Sequence, residues 1–429
     1  MSDSGATPLK ILFVTSDRFP PFRPAAKAIF GHELVRRGHT VDWLLQAESA
    51  ATPAGPQPFA GGTAYIAPTD EGSSRLRRLR KYWLDFKNDL RLFRLLANGG
   101  YSLVQVKDRY LSALLALLAA RRHRVPLFYW LAYPHAEASL YAAEQGLARY
   151  RYFYRVRGWL QRWLLYRVIM PTADHVFVQS DQMRRDIAEE GLAFEKMTPV
   201  PSSLNFEEIV AAEAVPLAAK PSDETWVLYL GTLMRERRLD FLVRAFALLL
   251  PQVPNARLVF VGAGENPADE AALRDEAARL GIADKVTITG WLGMHDAWAY
   301  VRAADVCVSP YAPVQILQST SPTKLVEYMA FGKPVVANDH PEQSEALRDS
   351  GGGIVFRWNE AECAEALAEV LLDPVRAKAM GEAGRRYVER WRTHAAMADV
   401  VLERYRRQHA VQAAGPSPRA AVRAVGKPE

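Results

Sequence analysis

Short apolar runs alternate with segments whose apolar positions recur every three or four residues, from Leu9 to about residue 408. Runs such as Ile11–Val14 read as buried strands, and the longer period reads as helix. A strand–helix–strand alternation implies a parallel sheet. The first half predicts strands at Lys10–Thr15, Val41–Leu45, Leu103–Val106, Pro126–Ala132 and Asp174–Gln179. Helices are expected at Ala28–Arg37, from about Leu76, at Tyr110–Arg121, at about 147–170, and after a Ser180-Asp181 cap. Residues 50–73, rich in Ala, Gly, Pro and Thr, read as a long loop. Residues 201–224 carry no strand signal and read as a linker. The alternation then restarts. Strands fit at Trp226–Leu230, Arg257–Val261, Lys285–Thr289, Val306–Ser309, Pro334–Ala337 and Gly353–Phe356. Helices fit between them, and three more, at 360–371, 374–390 and 394–408, close the chain.

A chain of 429 residues exceeds one ordinary core. The expected fold is α/β, with two doubly wound Rossmann-like domains facing across a cleft. The expected boundaries are a first Rossmann-like domain 1–204, a linker 205–224, a second Rossmann-like domain 225–392, a closing helix 393–410 and a disordered tail 411–429. Apolar content of 49% with 24% charged residues fits a soluble globular protein. The apolar runs are too short for a membrane span, and MSDSGATPLK has no signal-peptide core, so a cytoplasmic protein is expected. Cys307 and Cys363 lack metal-like spacing and read as buried thiols.

Open α/β sheets bind ligands at the carboxyl ends of their strands, so the loops after strands carry the candidate chemistry. In STSPTKLVEYMAFGKPVVA (319–337), Ser321 is expected to cap a helix and Pro322 to sit in its first turn, with Gly332 ending it. A helix N-terminus offers unpaired N–H groups and partial positive charge, which suits a diphosphate. Lys324 adds a full charge, and Glu327, one turn in, can accept hydrogen bonds from sugar hydroxyls. The alternative is a capped surface helix with a stray carboxylate. After the first strand of the second half, Gly231 lets a ligand approach the backbone, and Arg235, Arg237 and Arg238 offer guanidinium forks for phosphate. Gly262 and Gly264 form a tight turn; Pro267 stands where a dinucleotide fingerprint would have its third glycine. Trp291 can lie beside a base or pack internally.

These pieces occur together in a recognisable order: Gly231…Arg237, Val261–Gly264, Gly290-Trp291, Ala304–Val306, Ser321–Ala330, Gly332–Val336 and Gly351–Val355. With Gly38–Val41, Ala173–Val178 and Ser180 in the first half, the set resembles the retaining glycosyltransferases of family 4, over about residues 8–408. The resemblance implies a GT-B fold and a nucleotide-diphosphate sugar as co-substrate. It further implies transfer with retention, no resident cofactor and no metal. It assigns catalytic roles to Arg237 on the diphosphate, Glu327 on the ribose, and His135 near the reacting sugar. It places Gly231, Thr232, Arg235, Gly262, Gly264, Trp291, Ser319, Ser321, Pro322, Thr323, Lys324 and Leu325 in the donor site. The chain departs from the family at Ser319, where the first glutamate of E-x7-E is expected. It also departs at Thr232, in place of an arginine, and at Arg238, in place of a glycine. Arg235 is the candidate replacement cation.

The formal charge of +6 is unevenly spread. Residues 75–96 carry eight Lys/Arg against Asp85 and Asp89, and residues 148–167 carry six Arg with no acid. The two stretches thus hold +12, leaving −6 for the rest. The first has apolar residues at 76, 79, 83, 86, 90 and 93, an amphipathic pattern that fits either packing on its own sheet or a membrane face. In the second, Tyr150, Tyr152, Phe153, Tyr154, Trp159, Trp163 and Tyr166 are too many aromatics for one packing face, and with arginine they suit an anionic bilayer surface. No nucleic-acid motif accompanies them. The expected function is transfer of a sugar to a glycan or lipid-linked acceptor at the inner membrane face, in polysaccharide biosynthesis. The alternatives are a sugar-nucleotide epimerase of the same fold and a non-catalytic partner subunit.

Overall fold

A computed structural model describes residues 7–21, 24–71, 77–146, 148 and 150–413. Two units emerge: residues to Gln179 with Arg184–Val200 and those from Met397, and Ser180–Met183 with Pro201–Ala396.

The first unit has strands β1 (Lys10–Phe19), β2 (Thr40–Ala47), β3 (Gly55–Phe59), β4 (Gly62–Ala67), β5 (Leu103–Lys107), β6 (Leu127–Leu131), β7 (His175–Val178) and β8 (Met197–Pro199). They order as β3-β4-β2-β1-β5-β6-β7-β8, and only the β3·β4 pairing is antiparallel. Ile11–Val14 and Phe128–Leu131 are covered on both faces, as continuous apolar runs in a parallel sheet require.

The structure corrects several sequence expectations here. Residues 50–73 hold the β3–β4 hairpin. Ala60 and Gly61 turn it at φ 47° and 74°, a mirror-image turn whose twist matches the strands. Pro56 and Pro58 are tolerated because β3 is an edge strand. Strand β1 runs past Thr15 to Phe19, with a register shift between Val14 and Arg18. The helix expected at Ala28–Arg37 is mostly π-helical, over Lys27–Glu33.

The helix expected from Leu76 is described from Arg77 and divides at Leu90. Of its expected apolar stripe, Trp83 and Leu90 are exposed and Phe86 and Phe93 half-buried, while Leu92 and Leu96, outside the stripe, are buried. Leu76 and the side chain of Leu79 lie outside the described residues. The aromatic-basic helix begins at Arg151 and becomes π-helical over Leu165–Ile169.

The second unit has β9 (Thr225–Leu230), β10 (Ala256–Val261), β11 (Val286–Ile288), β12 (Val306–Ser309), β13 (Val335–Asn338) and β14 (Gly353–Phe356). All pairings are parallel, in the order β11-β10-β9-β12-β13-β14. The order reverses between β9 and β12, which opens a crevice at their carboxyl ends. Residues 205–224 are more than a linker: Phe206–Ala212 is a helix, capped by the Asn205 side chain, with Ile209 and Ala212 in the core of the second unit. The last helix runs from His394 to Ala413, beyond the expected end at 408. From Met397 it belongs to the first unit, where Tyr405 donates to Gln105 at 2.7 Å and packs on Phe128. The expected disordered tail otherwise falls at 414–429, outside the described residues.

Candidate functional site

The carboxyl ends of β9 and β12 carry the candidate chemistry. Past Leu230 the β9 and β10 loops stay paired: Gly231 N–H donates to Val261 O at 2.9 Å and Leu233 N–H to Ala263 O at 2.9 Å. Gly231 has φ 144°, and a Cβ there would lie 2.0 Å from Lys324 Cε. A Cβ on Gly262 would lie 2.1 Å from Gly231 O. Both glycines are therefore required by close approach. Gly264 serves the next helix instead. Its Cβ would meet Asp269, half of the capping box that Asn266 and Asp269 form on Pro267–Arg279.

The helix Thr323–Ala330 crosses the end of β12 and β13. Pro322 is its N-cap position, ahead of the first turn, and no side chain caps it. Ser321 does not cap it, contrary to expectation. Its hydroxyl oxygen accepts from Ser202 N–H at 2.9 Å and donates to Glu342 at 3.3 Å. The N–H groups of the first turn thus keep their capacity for an anion. Thr323 is exposed and Leu325 buried in the core, so Leu325 meets a ligand only through its backbone. Gly332, at φ 66°, follows the C-cap as expected.

Lys324 and Glu327 are the charged residues of this helix. Burial pushes the Glu327 carboxyl up from the usual range, against the pull of Lys324 and a hydrogen bond from the Trp298 indole. Burial likewise pushes the Lys324 ammonium down, helped by the nearby Arg237 guanidinium and opposed by Glu327. Arg237 lies 5.8 Å from the Tyr311 ring centroid and hydrogen-bonds the Tyr311 hydroxyl. Lys324 Nζ lies 5.9 Å from the Tyr229 ring centroid. Gly231, Arg237, Lys324 and Glu327 therefore form one cluster, walled by Tyr229, Tyr311 and Trp298. The two cations can bind a diphosphate, and the half-buried carboxylate beside them can accept hydrogen bonds from a diol.

Other expected residues fall apart from this cluster. Arg235 is exposed and lines a separate cavity of about 260 Å³ with Arg238 and Leu273. It is not a neighbour that perturbs Lys324 or Glu327, so the replacement-cation expectation lacks that support. Arg238 holds a left-handed φ of 55°, which explains why a glycine suits that position. Thr232 offers its carbonyl to the Tyr229 hydroxyl at 3.4 Å. Ser319 is buried, and its carbonyl accepts from Ser180 Oγ at 2.7 Å. Trp291 is 79% exposed and packs internally in no sense. His135, in the first unit, opens the helix His135–Glu144 after β6, with its ring 5.0 Å from Tyr133.

Sequence reasoning missed the support of the 310–321 loop. Asn338 accepts from Tyr311 N–H at 2.6 Å and donates to Tyr311 O at 2.9 Å. The His340 Nε2–H donates to Leu317 O at 2.7 Å, and Gln343 donates to Ser309 O at 3.1 Å. Burial lowers the His340 pKa from its usual value, which favours the neutral ring. The signal was available: Asn338 ends β13 and His340–Gln343 follow it, and loops after strands were the ones to inspect.

Residues 213–387 match the family model of group 1 glycosyl transferases, and residues 30–202 match a glycosyl transferase 4-like domain. A GDP-mannose-dependent alpha-(1-6)-phosphatidylinositol monomannoside mannosyltransferase of Mycobacterium tuberculosis is 35% identical over 40% of this chain and 45% of its own. An alpha-monoglucosyldiacylglycerol synthase of Streptococcus pneumoniae is 25% identical over 63% of this chain and 59% of its own. The chain thus spans about half the length of these curated relatives. Among solved structures, a sucrose-phosphate synthase from Thermosynechococcus elongatus superposes with a TM-score of 0.67 at 19% identity, covering 94% of this chain and 99% of its own. Anabaena HepE, solved with UDP and glucose, gives 0.61 at 14% identity over 92% and 98%. At these identities the likeness concerns the fold.

Proposed function

The chain belongs to the group 1 glycosyltransferases, and from that premise we propose that it moves a sugar from a nucleotide-diphosphate sugar to a glycan or lipid-linked acceptor. The observation that carries this reading is the cluster of Arg237, Lys324 and Glu327 around Gly231 at the strand-order reversal. Negative charge grows on the diphosphate as the sugar–phosphate bond breaks. Arg237, Lys324 and the N-terminus of Thr323–Ala330 are assigned its stabilisation, the electrostatic term that usually dominates such catalysis. Glu327 is assigned the ribose hydroxyls, and His135 the reacting sugar. In this scheme the freed phosphate oxygen takes the acceptor's proton on the face it leaves, so the configuration is retained. The protein cations supply the neutralisation that a metal would otherwise give.

Membrane attachment belongs to the same proposal. On the helix Arg151–Leu164, Tyr152, Phe153, Val156, Trp159, Leu160 and Trp163 share one face and are 49% to 83% exposed. Arg151, Arg155 and Arg167 are exposed among them. The opposite face is packed: a Cβ on Gly158 would lie 2.9 Å from Leu140, and the Tyr166 hydroxyl donates to Glu137 at 2.8 Å. Exposed tryptophan and tyrosine with arginine suit an anionic bilayer interface. Among the described residues no helix is long and apolar enough to cross a membrane.

The test is thermal shift with a panel of nucleoside diphosphates, followed by product analysis of the matching sugar nucleotide. A ligand bound only by the folded state raises stability with its affinity. Transfer to an acceptor supports the proposal. A released free sugar or an epimerised donor would replace it with the epimerase reading. An absence of any nucleotide shift would favour a non-catalytic subunit, the reading that Ser319 in the glutamate position favours.

A further inference from the structure

No side chain caps Thr323–Ala330, although hydroxyls stand on either side of its start. Pro322, at the N-cap, has no group to do so. The hydroxyls of Thr320, Ser321 and Thr323 flank that position, and all three are turned elsewhere. Thr320 Oγ1 donates to Leu317 O at 2.6 Å. Ser321 Oγ accepts from Ser202 N–H at 2.9 Å and donates to Glu342 at 3.3 Å. Thr323 Oγ1 donates to Ser202 Oγ at 3.2 Å, and Ser202 Oγ donates in turn to Ser321 O at 2.7 Å.

This diversion opposes the local preference of the chain. A serine hydroxyl readily accepts from the N–H two or three residues on, here that of Thr323 or Lys324. Satisfied that way, Ser321 would consume a donor that the helix start otherwise presents to an anion. We propose that Glu342, Arg392 and Ser202 are positioning residues that hold the loop hydroxyls away, so that the first-turn N–H groups stay open to the donor diphosphate; this rests on the glycosyltransferase reading.

The holding groups are themselves fixed, all within the second unit. Glu342 lies in the first turn of Pro341–Ser350, and Arg392 closes the helix Pro374–Trp391. Both are buried, with Arg392 Nη1 2.7 Å from Glu342 Oε1. The ion pair fixes the carboxylate, and the carboxylate fixes the direction of the Ser321 hydroxyl. The segment carrying Ser202 is pinned as well. Leu204 N–H donates to Arg392 O at 3.0 Å, His394 N–H donates to Leu204 O at 2.9 Å, and Ser203 Oγ lies 2.9 Å from His394 Nδ1. Such bracing sets the loop before a ligand arrives.

The experiment is calorimetric titration of the full chain with the strongest binder among ADP, CDP, GDP, TDP and UDP, and with the matching nucleoside as a phosphate-free probe. Glu342→Ala and Ser202→Ala should each weaken diphosphate binding about tenfold, the loss of one hydrogen bond to a charged group, and leave nucleoside binding unchanged. Glu342→Gln keeps an acceptor for the Ser321 hydroxyl and should bind the diphosphate more tightly than Glu342→Ala. Adding Ser321→Ala to Glu342→Ala removes the hydroxyl that would cap the helix, and should restore most of the lost affinity. Equal losses for nucleoside and diphosphate, Glu342→Gln binding no tighter than Glu342→Ala, or no restoration by Ser321→Ala would overturn the proposal. Should Glu342→Ala fail to fold, Ser202→Ala decides, and diphosphate affinity equal to wild type overturns it. Wild-type binding with variants that bind alike would overturn the positioning alone. A wild-type chain that binds no nucleoside diphosphate would overturn the donor reading and this proposal with it.

Discussion

Lys324 lies across Gly231: a Cβ built on the glycine would stand 2.0 Å from Lys324 Cε and 2.7 Å from its Nζ. The smallest substitution there must displace the ammonium group. Gly231→Ala should therefore weaken nucleoside-diphosphate binding about as much as Lys324→Ala does. A lost charge-assisted hydrogen bond costs about 1.5–3 kcal/mol, roughly 10- to 150-fold in affinity. Calorimetric titration of both variants checks this; wild-type affinity in Gly231→Ala would contradict it.

Arg237→Ala should raise the nucleoside-diphosphate dissociation constant by a similar factor, and Glu327→Gln should lower turnover. The pH profile adds a sharper test. Burial holds the Glu327 pKa above the usual carboxylate range, so the acid limb of kcat/KM should lie well above pH 4.5. Burial holds Lys324 below the usual lysine value of 10.5, so the alkaline limb should begin early. Glu327→Gln should remove the acid limb and leave the alkaline one.

Arg238 keeps a left-handed backbone, φ 55° and ψ 41°, without being a glycine. Relief of that strain should outweigh the greater entropy of a glycine in the unfolded chain. Arg238→Gly is expected to stabilise the second unit by about 0.5–1 kcal/mol. Chemical denaturation at fixed pH measures it, and a lower midpoint would show that the Arg238–Asp240 contact at 3.7 Å matters more.

Asp89 is 1% exposed, and burial raises its pKa from 3.8 to about 6 against the opposing pull of Arg109 and Ser112. A folded pKa above the unfolded one means a contribution that is present below pH 3.8 and lost as pH rises through about 6. The rise corresponds to about 3 kcal/mol at most. Asp89→Asn should flatten the fall in stability across that window. Denaturation midpoints at pH 4 and pH 7 decide it; an unchanged difference would mean the ion pair with Arg109 dominates.

The exposed face of Arg151–Leu164 should bind anionic vesicles. Each basic side chain near such a surface contributes about 1 kcal/mol, screened over about 8 Å at physiological salt. Arg151, Arg155 and Arg167 are the residues to replace with Glu, because Arg162 is paired with Glu190. The triple variant should lose sedimentation with anionic vesicles and keep its nucleotide shift. Trp159→Ala should weaken the part of binding that salt does not screen. Equal, negligible sedimentation with neutral and anionic vesicles would remove the membrane reading.

The sequence by itself determined the two parallel sheets, because apolar runs such as Ile11–Val14 and Val335–Ala337 admit burial on both faces and little else. It also determined which loops carry charge toward strand ends, since Arg237, Lys324 and Glu327 follow strands in a repeated alternation. Tertiary structure alone decided the rest. The β3–β4 hairpin was hidden because glycine and proline, which signal loops, are also tolerated on an edge strand. The role of Ser321 depended on Ser202 and Glu342, partners distant in the chain that compete for its hydroxyl with the nearby helix N-terminus. The aromatics of Arg151–Leu164 had no visible orientation until packing against Leu140 and Glu137 chose the inner face and left the other to solvent. The perturbed pair Lys324 and Glu327 arose the same way. Their spacing was legible, but the burial that shifts both pKa values, and the Arg237 charge that adds to the shift of Lys324, exist only in the folded chain.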